Sequence, residues 1–316
     1  MARSPSVIGV LIMAYGGPNT LDEVKPYLMD VRGGRPTAPE IIHEVRERYR
    51  EIGGRSPILE RTQAQAAALE AALNVNGHVF KAFVGMRHWQ PYINDALAEM
   101  SNAGIALAVG LVMAPHYSRL SIGAYFKKVD EAQSPITMAG IERWHLLPGY
   151  LDALAERVRT ALEKFPADVR ATVPLIFTAH SLPKQILEWN DPYPDELQAT
   201  VAAVMERLNP RPSTGEFAFQ SAAMTPDGVE RTWLGPDAGE VIARLAREGH
   251  KHVLIAPVGF VCEHVEILYD VDIVFKRQAE RLGLRLERIE MLNTAPPMMA
   301  GLADLIRSKA QEASWL

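Results

Sequence analysis

Two short segments of the sequence carry side chains that can handle a proton or a metal ion, and the first ends in a histidine. Residues 177–183 read FTAHSLP, so an apolar run delivers His180, and Pro183 then prevents a β-strand from continuing. An imidazole titrates near neutral pH and is a common metal ligand. The alternative is a loop histidine that hydrogen-bonds a neighbouring backbone group, and this segment alone leaves both interpretations open.

The second segment carries two carboxylates at helical spacing. Residues 257–272 read PVGFVCEHVEILYDVD, an apolar run that leaves through proline and glycine into a helix-like stretch. Glu266 and Asp270 are four residues apart and therefore share one helix face. In a cleft, their repulsion favours the binding of a proton or a cation. The alternative is a solvated acidic face, which is the better interpretation of Glu263 and Asp272.

The two segments together predict an open metal or proton site. Both follow the carboxyl ends of predicted strands, where side chains from different strands converge. One imidazole with one or two carboxylates suits iron(II), manganese or zinc, whereas a closed structural zinc site takes four firm ligands. The candidate metal-binding residues are therefore His180, Glu266 and Asp270. Cys262 is interpreted as a small buried residue, and His264 as structural because it points to another helix face.

Arginines and hydroxyl groups near glycine pairs indicate an anion-binding region in the N-terminal half. Arg32, Arg48, Tyr49 and Ser56 lie in the segments VRGGR and RYREIGGRSP. Arginine forks and hydroxyl groups suit carboxylates. The sequence has no Walker A motif, no G-x-G-x-x-G after a strand and no G-x-S-x-G. These absences argue against a P-loop nucleotidase, a dinucleotide-binding enzyme and an α/β-hydrolase.

Short apolar runs alternate with amphipathic stretches along the chain. This pattern predicts an α/β protein whose parallel strands are covered by helices on both faces. The predicted strands are residues 7–14, 78–84, 105–113, 172–178, 216–220, 252–258 and 284–289. The predicted helices are residues 39–52, 60–73, 91–102, 122–133, 150–164, 195–208, 238–248 and 297–313.

The strand ends of the two halves of the chain echo one another. Three strands in each half end in a turn that carries glycine or proline with polar or aromatic residues. We therefore expect two similar Rossmann-like, doubly wound halves, residues 1–166 and 167–316. We expect them to flank one ligand cleft at the carboxyl ends of their strands.

Composition excludes several classes of function. The chain has 316 residues, of which 48% are hydrophobic and 22% charged, an ordinary globular balance that excludes a disordered chain. With 33 basic and 38 acidic residues, the formal net charge is −5, so no general basic field attracts nucleic acid. The single cysteine, Cys262, excludes an intrachain disulfide and a cysteine-ligated cluster, and it indicates a reducing compartment.

No segment of the sequence is predicted to span a membrane. The longest apolar run, residues 105–115, is shorter than the roughly 20 residues that a bilayer requires. The apolar run at residues 7–14 follows a basic residue but ends in YGGP, and a buried first strand explains it better than a signal peptide. We therefore expect a cytoplasmic protein.

Several motifs, taken in order, resemble the ferrochelatase family, whose members insert iron(II) into porphyrins. The motifs are LIMAYGGP, RYREIGGRSPI, APHYS, FTAHSLP, DPYPDEL, WLGPD and PVGFVCEHVEILYDVD, and the resemblance covers residues 7–305. It implies two Rossmann-like halves around a porphyrin cleft, with porphyrin and iron(II) as substrates. It also implies no organic cofactor, no iron–sulfur cluster, and a transient handover of product to a downstream enzyme of haem synthesis.

The resemblance assigns roles to the two chemical segments. His180 and Glu266 match the catalytic pair of the family, in which the histidine takes pyrrole protons, binds iron(II), or both. Asp270 continues an acidic line along a helix that carries a π-type bulge in the family. Some relatives have a further acid four residues later, where this chain has Val274, and Asp272 lies nearby at a different helical angle.

The resemblance also bears on the substrate, and it is strongest to the branch that uses coproporphyrin III. That branch has a tyrosine in the turn after the first strand, which is Tyr15 here, on the opposite porphyrin face from His180. Gly33 replaces a second arginine that some relatives carry. Further matches to porphyrin contacts of the branch are Arg32, Arg48, Tyr49, Ser56 and Tyr125. The predicted function is iron(II) insertion into coproporphyrin III.

Three alternatives stay open. The first is a protoporphyrin IX ferrochelatase, which shares the chemistry and differs in propionate contacts and in the tyrosine at position 15. The second is a non-catalytic tetrapyrrole or metal carrier, which binds at the same residues without turnover. The third is a cobalt chelatase, although members of that kind place a second histidine at or near the position of Glu266.

Overall fold

The computed structural model describes residues 7–76, 79–209, 212, 214–222 and 232–316, which form two compact units. The strands are β1 Ile8–Ala14, β2 Phe80–Met86, β3 Leu107–Val112, β4 Thr137–Ile141, β5 Leu175–His180, β6 Gly215–Gln220, β7 His252–Pro257 and β8 Arg285–Arg288. The α-helices are α1 Val24–Val31, α2 Pro39–Glu51, α3 Ile58–Leu73, α4 Ile93–Asn102, α5 Ile122–Glu131, α6 Pro148–Leu162, α7 Tyr193–Arg207, α8 Ala238–Arg247, α9 Lys276–Arg281 and α10 Pro296–Glu312. A π-helix, Glu266–Phe275, lies directly before α9.

The first unit is built on a four-stranded parallel sheet in the order β2-β1-β3-β4. Every residue of β1 is buried because helices cover both faces of the sheet. Leu11 and Met13 pack in one cluster with residues of α4 and α5, whereas α3 contacts β1 and β2, and α10 contacts β3 and β4. A strand with two covered faces is apolar at consecutive positions, which explains the unbroken apolar run in β1.

The second unit repeats this arrangement with the order β6-β5-β7-β8, again fully parallel. One face of the sheet packs against α8, the π-helix and α9 in a single cluster of buried side chains. The π-helix contributes Ile267, Val271 and Phe275, which are spaced by four residues and so lie on one face. The strand order of the two units is the same, as the echo between strand ends predicts.

The boundaries of the compact units differ from the predicted ranges 1–166 and 167–316. The first unit comprises Met1–Gly149 and Asn293–Leu316, and the second comprises Tyr150–Leu292. The C-terminal segment joins the first unit because α10 packs on α3, where the Arg307 guanidinium also donates to the carbonyl of Leu73 at 3.4 Å. Helix α6 belongs to the second unit from Tyr150 onward, and the Tyr150 hydroxyl donates to the carbonyl of Val258 at 2.5 Å.

The predicted α/β class is confirmed, and most elements lie near their predicted positions. The edge strand β4 has no predicted counterpart, because four of its five residues are exposed or half-buried and its apolar pattern is weak. Helix α1 also has no predicted counterpart. Of the strand predicted at residues 78–84, His78 lies outside the described residues, and β2 begins at Phe80.

Candidate active site

His180 is the last residue of β5, where it is paired across the sheet with Gln220 at the end of β6. Its backbone is fixed by the buried Tyr193, whose hydroxyl donates to the His180 carbonyl at 2.9 Å. The turn after β7 packs so closely behind this strand that a Cβ on Gly259 would lie 2.5 Å from the Cβ of Ala179. The imidazole is thus carried on a rigid strand end, and its side chain is 32% exposed.

Both ring nitrogens of the His180 imidazole face hydrogen-bond acceptors. Nδ1 contacts the carbonyl oxygen of Ser181, which can only accept a hydrogen bond. When the neutral ring donates from Nδ1 to this carbonyl, Nε2 keeps its lone pair. That lone pair is directed to the Glu266 carboxylate, with Nε2 and Oε1 separated by 3.5 Å. A proton or a cation held by both groups removes the repulsion between them, so the pair can accept a proton or ligate a metal.

Glu266 begins the π-helix, and a second imidazole approaches its other oxygen. Nε2 of His264 lies 3.7 Å from Oε2 of Glu266, while its Nδ1 lies 3.1 Å from the carbonyl of Cys262. The expectation that His264 points away assumes that it lies on the helix. The cap of the π-helix is instead Val265, so His264 precedes the helix and is free of that periodicity. His264 is a functional candidate that the helical-angle argument misses.

Gln220 and Ser221, at the end of β6, hold both acidic residues in place. The side chain of the fully buried Gln220 accepts from the Thr178 hydroxyl at 2.7 Å and donates to the Glu266 carbonyl at 3.1 Å. The Ser221 hydroxyl donates to the Asp270 carboxylate. Ser221 has a φ of 59°, in the left-handed region that non-glycine residues rarely adopt. The backbone therefore turns sharply at the residue whose hydroxyl binds Asp270.

Glu266 and Asp270 lie on the same side of the helix, as predicted, and the helix is of the π type that the resemblance implies. In a π-helix, each N–H bonds to the carbonyl five residues earlier, so positions four apart still share a face. Asp272 differs, because its carboxylate is held by Arg288 in two hydrogen bonds of 2.7 and 2.8 Å. Within the described residues, no group of three or more His, Cys, Asp or Glu side chains is arranged to hold a metal ion.

Tyr193 is a further buried polar residue beside His180 and Glu266. Its backbone N–H donates to the Asp191 carboxylate at 3.1 Å, at the start of the DPYPDEL segment. Burial raises the pKa of Tyr193, and the nearby charges of Glu266 and Asp191 raise it further. The hydroxyl therefore stays protonated at neutral pH and acts as a fixed hydrogen-bond donor to the His180 backbone.

In the first unit, Tyr15 follows the end of β1 and is 39% exposed. Its ring lies 4.7 Å from the ring of His88, between centroids. The Arg87 guanidinium lies 6.0 Å from the Tyr15 ring and 5.4 Å from the Tyr125 ring. The structure thus brings together two predicted contact residues, Tyr15 and Tyr125, around one arginine. Such a group presents a hydroxyl and a positive charge at a strand end.

His88 is held beneath Tyr15 by an acidic partner. Its Nδ1 lies 2.9 Å from a carboxylate oxygen of Asp30. Burial lowers the pKa of His88 to about 4, and the hydrogen bond to Asp30 only partly opposes that shift. The ring is therefore neutral near pH 7. The neighbouring Trp89 is held in the same way, since its indole N–H donates to Glu23 at 2.8 Å.

The other predicted contacts in this unit fall into two groups. Tyr49 and Ser56 are buried around Gly17, where an added Cβ would lie 2.6 Å from the Ser56 hydroxyl and 3.5 Å from the Tyr49 hydroxyl. The glycine therefore lets both hydroxyls approach the chain just after β1. Arg32 is half-buried at the end of α1, and Arg48 pairs with Glu44 at 2.6 Å in α2.

Several residues around His180 in the second unit and around Tyr15 in the first unit are not among the predicted site residues. In the second unit they are Gln220, Ser221, Tyr193 and His264. In the first unit they are Asp30 and Arg87. Gln220 and Arg87 carry a readable signal, because each lies at or just after the end of a parallel strand. Asp30 carries none, because it lies in a helix that the sequence pattern does not predict.

Solved structures share this fold at low sequence identity. SirB from Bacillus subtilis with Fe3+ aligns over 98% of this chain and 97% of its own, with a TM-score of 0.56 and 10% identity. The structure of CbiX, described as the terminal enzyme for biosynthesis of siroheme in denitrifying bacteria, aligns with a TM-score of 0.54 and 13% identity, over 95% of this chain and 98% of its own. At these identities the likeness shows the fold alone.

Sequence comparison defines the family. The family model named Ferrochelatase matches residues 7–310. A ferrochelatase from Herpetosiphon aurantiacus is 43% identical over 91% of this chain and 94% of its own length. One from Deinococcus radiodurans is 42% identical over 97% of both. A coproporphyrin III ferrochelatase from Bacillus subtilis is 36% identical over 96% of this chain and 97% of its own length. The chain belongs to the ferrochelatase family.

Membership makes this protein a metal-chelating enzyme of the lyase class, which acts on a porphyrin and uses iron as a substrate. The resemblance stated from the sequence motifs is thereby confirmed. Among the described residues, no helix is long and apolar enough to cross a membrane.

Proposed function

We propose that the porphyrin substrate is coproporphyrin III, into which the enzyme inserts iron(II). The observation that carries the proposal is the exposed Tyr15 at the end of β1, with the Arg87 guanidinium beside its ring. Relatives named coproporphyrin III ferrochelatase are 36–38% identical to this chain. The relatives at 43% and 42% identity are named only ferrochelatase, so the choice of porphyrin rests on the site residues.

The proposed chemistry exchanges two pyrrole protons for one iron(II) ion. A free-base porphyrin carries two N–H groups, and both protons must leave before four nitrogens can bind the metal. His180 Nε2, whose lone pair is available, accepts a proton, and the Glu266 carboxylate stabilises the resulting imidazolium. Asp270 provides a further negative charge along the same helix face, which attracts iron(II) and carries protons away. The reaction balances as iron(II) plus porphyrin giving iron–porphyrin and two protons.

The first unit supplies the proposed porphyrin contacts. The propionates of coproporphyrin are carboxylates, and Arg32 and Arg48 are proposed to bind them, with Tyr49, Ser56 and Tyr125 as further contacts. Binding energy from these remote groups offsets the strain of bending a flat macrocycle, which exposes the nitrogen lone pairs. Tyr15 is proposed to offer its oxygen to the iron of the product.

The proposed setting is the cytoplasm. The single thiol of the chain, Cys262, is buried and cannot form an intrachain disulfide, as is usual in a reducing compartment. The chemistry requires no organic cofactor, since iron(II) enters as substrate. The product, iron-coproporphyrin, then requires an enzyme that removes carboxyl groups, and we place the handover there.

The test is an anaerobic iron(II) insertion assay with coproporphyrin III and protoporphyrin IX side by side. We expect kcat/KM to favour coproporphyrin III by at least about tenfold, because two extra carboxylates meet arginine partners. Tyr15→Phe should reduce that preference. Tyr117→Phe is the matched control, because Tyr117 also follows a strand of the first unit and packs beneath an arginine, Arg143, at 5.3 Å.

Three other outcomes would each overturn one part of the proposal: the substrate, the reaction or the role of Tyr15. A preference for protoporphyrin IX keeps the chelatase and overturns the substrate proposal. Stoichiometric porphyrin binding by wild-type protein, with no metallated product, indicates a carrier and overturns the proposed reaction. Equal losses in the Tyr15→Phe and Tyr117→Phe proteins remove Tyr15 from the argument.

A further inference from the structure

The π-helix that carries the two acids is bound by Ser221 at Asp270 and by sheet residues at two further points. Gln220 binds its first residue through the Glu266 carbonyl at 3.1 Å. Arg288 binds its seventh residue, Asp272, in a two-pronged contact of 2.7 and 2.8 Å. Glu266 is the first of these points, and Asp270 lies between the two. Two attachments this far apart fix both the position and the rotation of a helix.

The Asp272–Arg288 contact has the geometry of a strong pair. Nε and Nη2 of Arg288 each donate to a different carboxylate oxygen of Asp272. The third donor of Arg288, Nη1, binds the carbonyl of Ile289 at 2.7 Å. The Arg288 side chain is only 15% exposed and that of Asp272 is 34% exposed, so solvent screens the pair weakly. A planar fork of this kind specifies direction as well as charge.

The pair links the helix to the strand that carries the catalytic imidazole. Arg288 ends β8 and is paired with Ile255 of β7, which is in turn paired with Ile176 of β5. His180 ends that same β5. A rotation of the π-helix about its axis would therefore move the Glu266 carboxylate relative to Nε2 of His180, now 3.5 Å apart. The apolar stripe facing the core resists that rotation only by packing.

We propose that Asp272 and Arg288 are a positioning pair, which sets the rotation of the π-helix and so holds the Glu266 carboxylate at His180. This inference rests on the proposed catalytic role of His180 and Glu266. Asp272 is thus an oriented structural acid and not a member of the acidic line, although it lies two residues from Asp270. The energetic reason is that its charge is already neutralised by a fork that leaves no carboxylate oxygen uncontacted.

The test compares iron(II) insertion by Asp272→Asn, Arg288→Gln and the double variant. We expect each single variant to lower kcat about tenfold, with the KM for porphyrin within about twofold, because the catalytic groups are misplaced while porphyrin contacts are kept. The double variant should be no worse than either single variant. Arg288→Lys keeps the charge and loses the fork, so it should recover activity only in part.

The matched control is Arg285→Gln on the same strand. Arg285 donates twice to one carboxylate oxygen of Glu287, at 3.0 and 2.8 Å, and both partners of this pair belong to β8, not to the π-helix. A loss of kcat in this control equal to that of the pair variants overturns the proposal. So does wild-type kcat in the folded Asp272→Asn and Arg288→Gln proteins, even if their Tm is lowered.

A second readout separates this inference from the proposed function. The NMR signals of the His180 imidazole are recorded in substrate-free protein, where no turnover is needed. We expect them to shift in the Asp272→Asn and Arg288→Gln proteins and to stay unchanged in Arg285→Gln. Unchanged signals in the pair variants overturn the inference. Shifted signals in a protein whose wild type inserts no iron support the positioning pair and reject the proposed function.

Discussion

At the scale of single residues, the hydrogen-bond partner of one ring nitrogen decides what the other can do. When the His180 ring donates from Nδ1 to the Ser181 carbonyl, Nε2 faces Glu266 with a lone pair. Nδ1 of His264 likewise contacts the carbonyl of Cys262. The carbonyl that each Nδ1 contacts depends on the backbone of the folded chain, which a sequence pattern does not display.

Another histidine, His116, has no place in the proposed reaction and instead makes stability depend on pH. Burial lowers its pKa from the ordinary 6.5 to about 3, and the nearby His145, whose ring centroid is 5.8 Å away, adds to the shift. Above pH 6.5 the ring is neutral in both the folded and the unfolded protein. Below that value only the unfolded chain takes up a proton, so stability falls as pH falls toward 3.

We therefore predict that His116→Gln flattens the pH dependence of unfolding. Between pH 7.5 and 5, the wild type should lose about 2 kcal/mol of unfolding free energy through this residue, and the variant should not. The measurement is the thermal midpoint of each protein over that range. His43→Gln is the control, since the His43 side chain is 75% exposed. Equal pH slopes in wild type and His116→Gln contradict the assignment.

At the scale of elements, the site depends on where strands end and on one unusual helix. β5 and β6 end at paired residues, His180 and Gln220, so the imidazole and the amide that holds the π-helix leave the sheet together. A π-helix lacks the regular hydrogen bonds of an α-helix. This one is stabilised by its buried apolar stripe and by the side chains that bind Glu266 and Asp272.

The buried contact between Thr178 and Gln220 makes a prediction at this scale. Both residues are fully buried, and the Thr178 hydroxyl donates to the Gln220 amide at 2.7 Å. Thr178→Val and Gln220→Met should each cost about 2 kcal/mol of unfolding free energy, because each leaves a buried polar group without its partner. The double variant should cost about 1 kcal/mol less than the sum.

Chemical denaturation of the three proteins measures this coupling. Thr172→Val is the control, since Thr172 is exposed and bonds only its local carbonyl, that of Val169, at 2.9 Å. It should cost no more than a few tenths of a kcal/mol. Strict additivity of Thr178→Val and Gln220→Met contradicts the contact.

The elements also mark how far sequence reasoning extends. Buried parallel strands are predictable because consecutive apolar residues serve both covered faces, as in β1. The shared helix face of Glu266 and Asp270 is predictable from their spacing. The direction of the His264 side chain toward Glu266 is not predictable, because it depends on the helix starting after His264. Asp272 is not, because its partner Arg288 lies sixteen residues away in sequence and is brought close only by the fold.

At the scale of the whole molecule, the chain returns at its end to the unit where it began. Helix α10 buries Met298, Leu302 and Ile306 and packs on α3, so the last residues complete the first unit. A division of the sequence into two consecutive halves places α10 in the wrong unit, because the chain crosses back to the first unit after Leu292. The amphipathic pattern of α10 predicts a covered helix, and it does not say which sheet covers it.

The crossing predicts which unit is weakened by substitutions in α10. Leu302→Ala should cost about 2–5 kcal/mol, because Leu302 is fully buried. Hydrogen exchange should rise in β1 and β3 and stay unchanged in β5 and β7. Leu245→Ala in α8, a buried leucine of the second unit, is the reciprocal control and should do the opposite. Faster exchange in β5 and β7 of the Leu302→Ala protein contradicts the assignment of α10.

The most direct test of the account is single-turnover iron(II) insertion by His180→Ala under anaerobic conditions, with porphyrin binding measured in parallel. We predict a loss of about 10²–10⁴-fold in rate, the range for removal of a general base, with porphyrin affinity retained. His250→Ala is the control, since His250 lies in the same unit beside Glu248, at the end of α8. A folded His180→Ala protein that inserts iron at the wild-type rate would contradict the central claim.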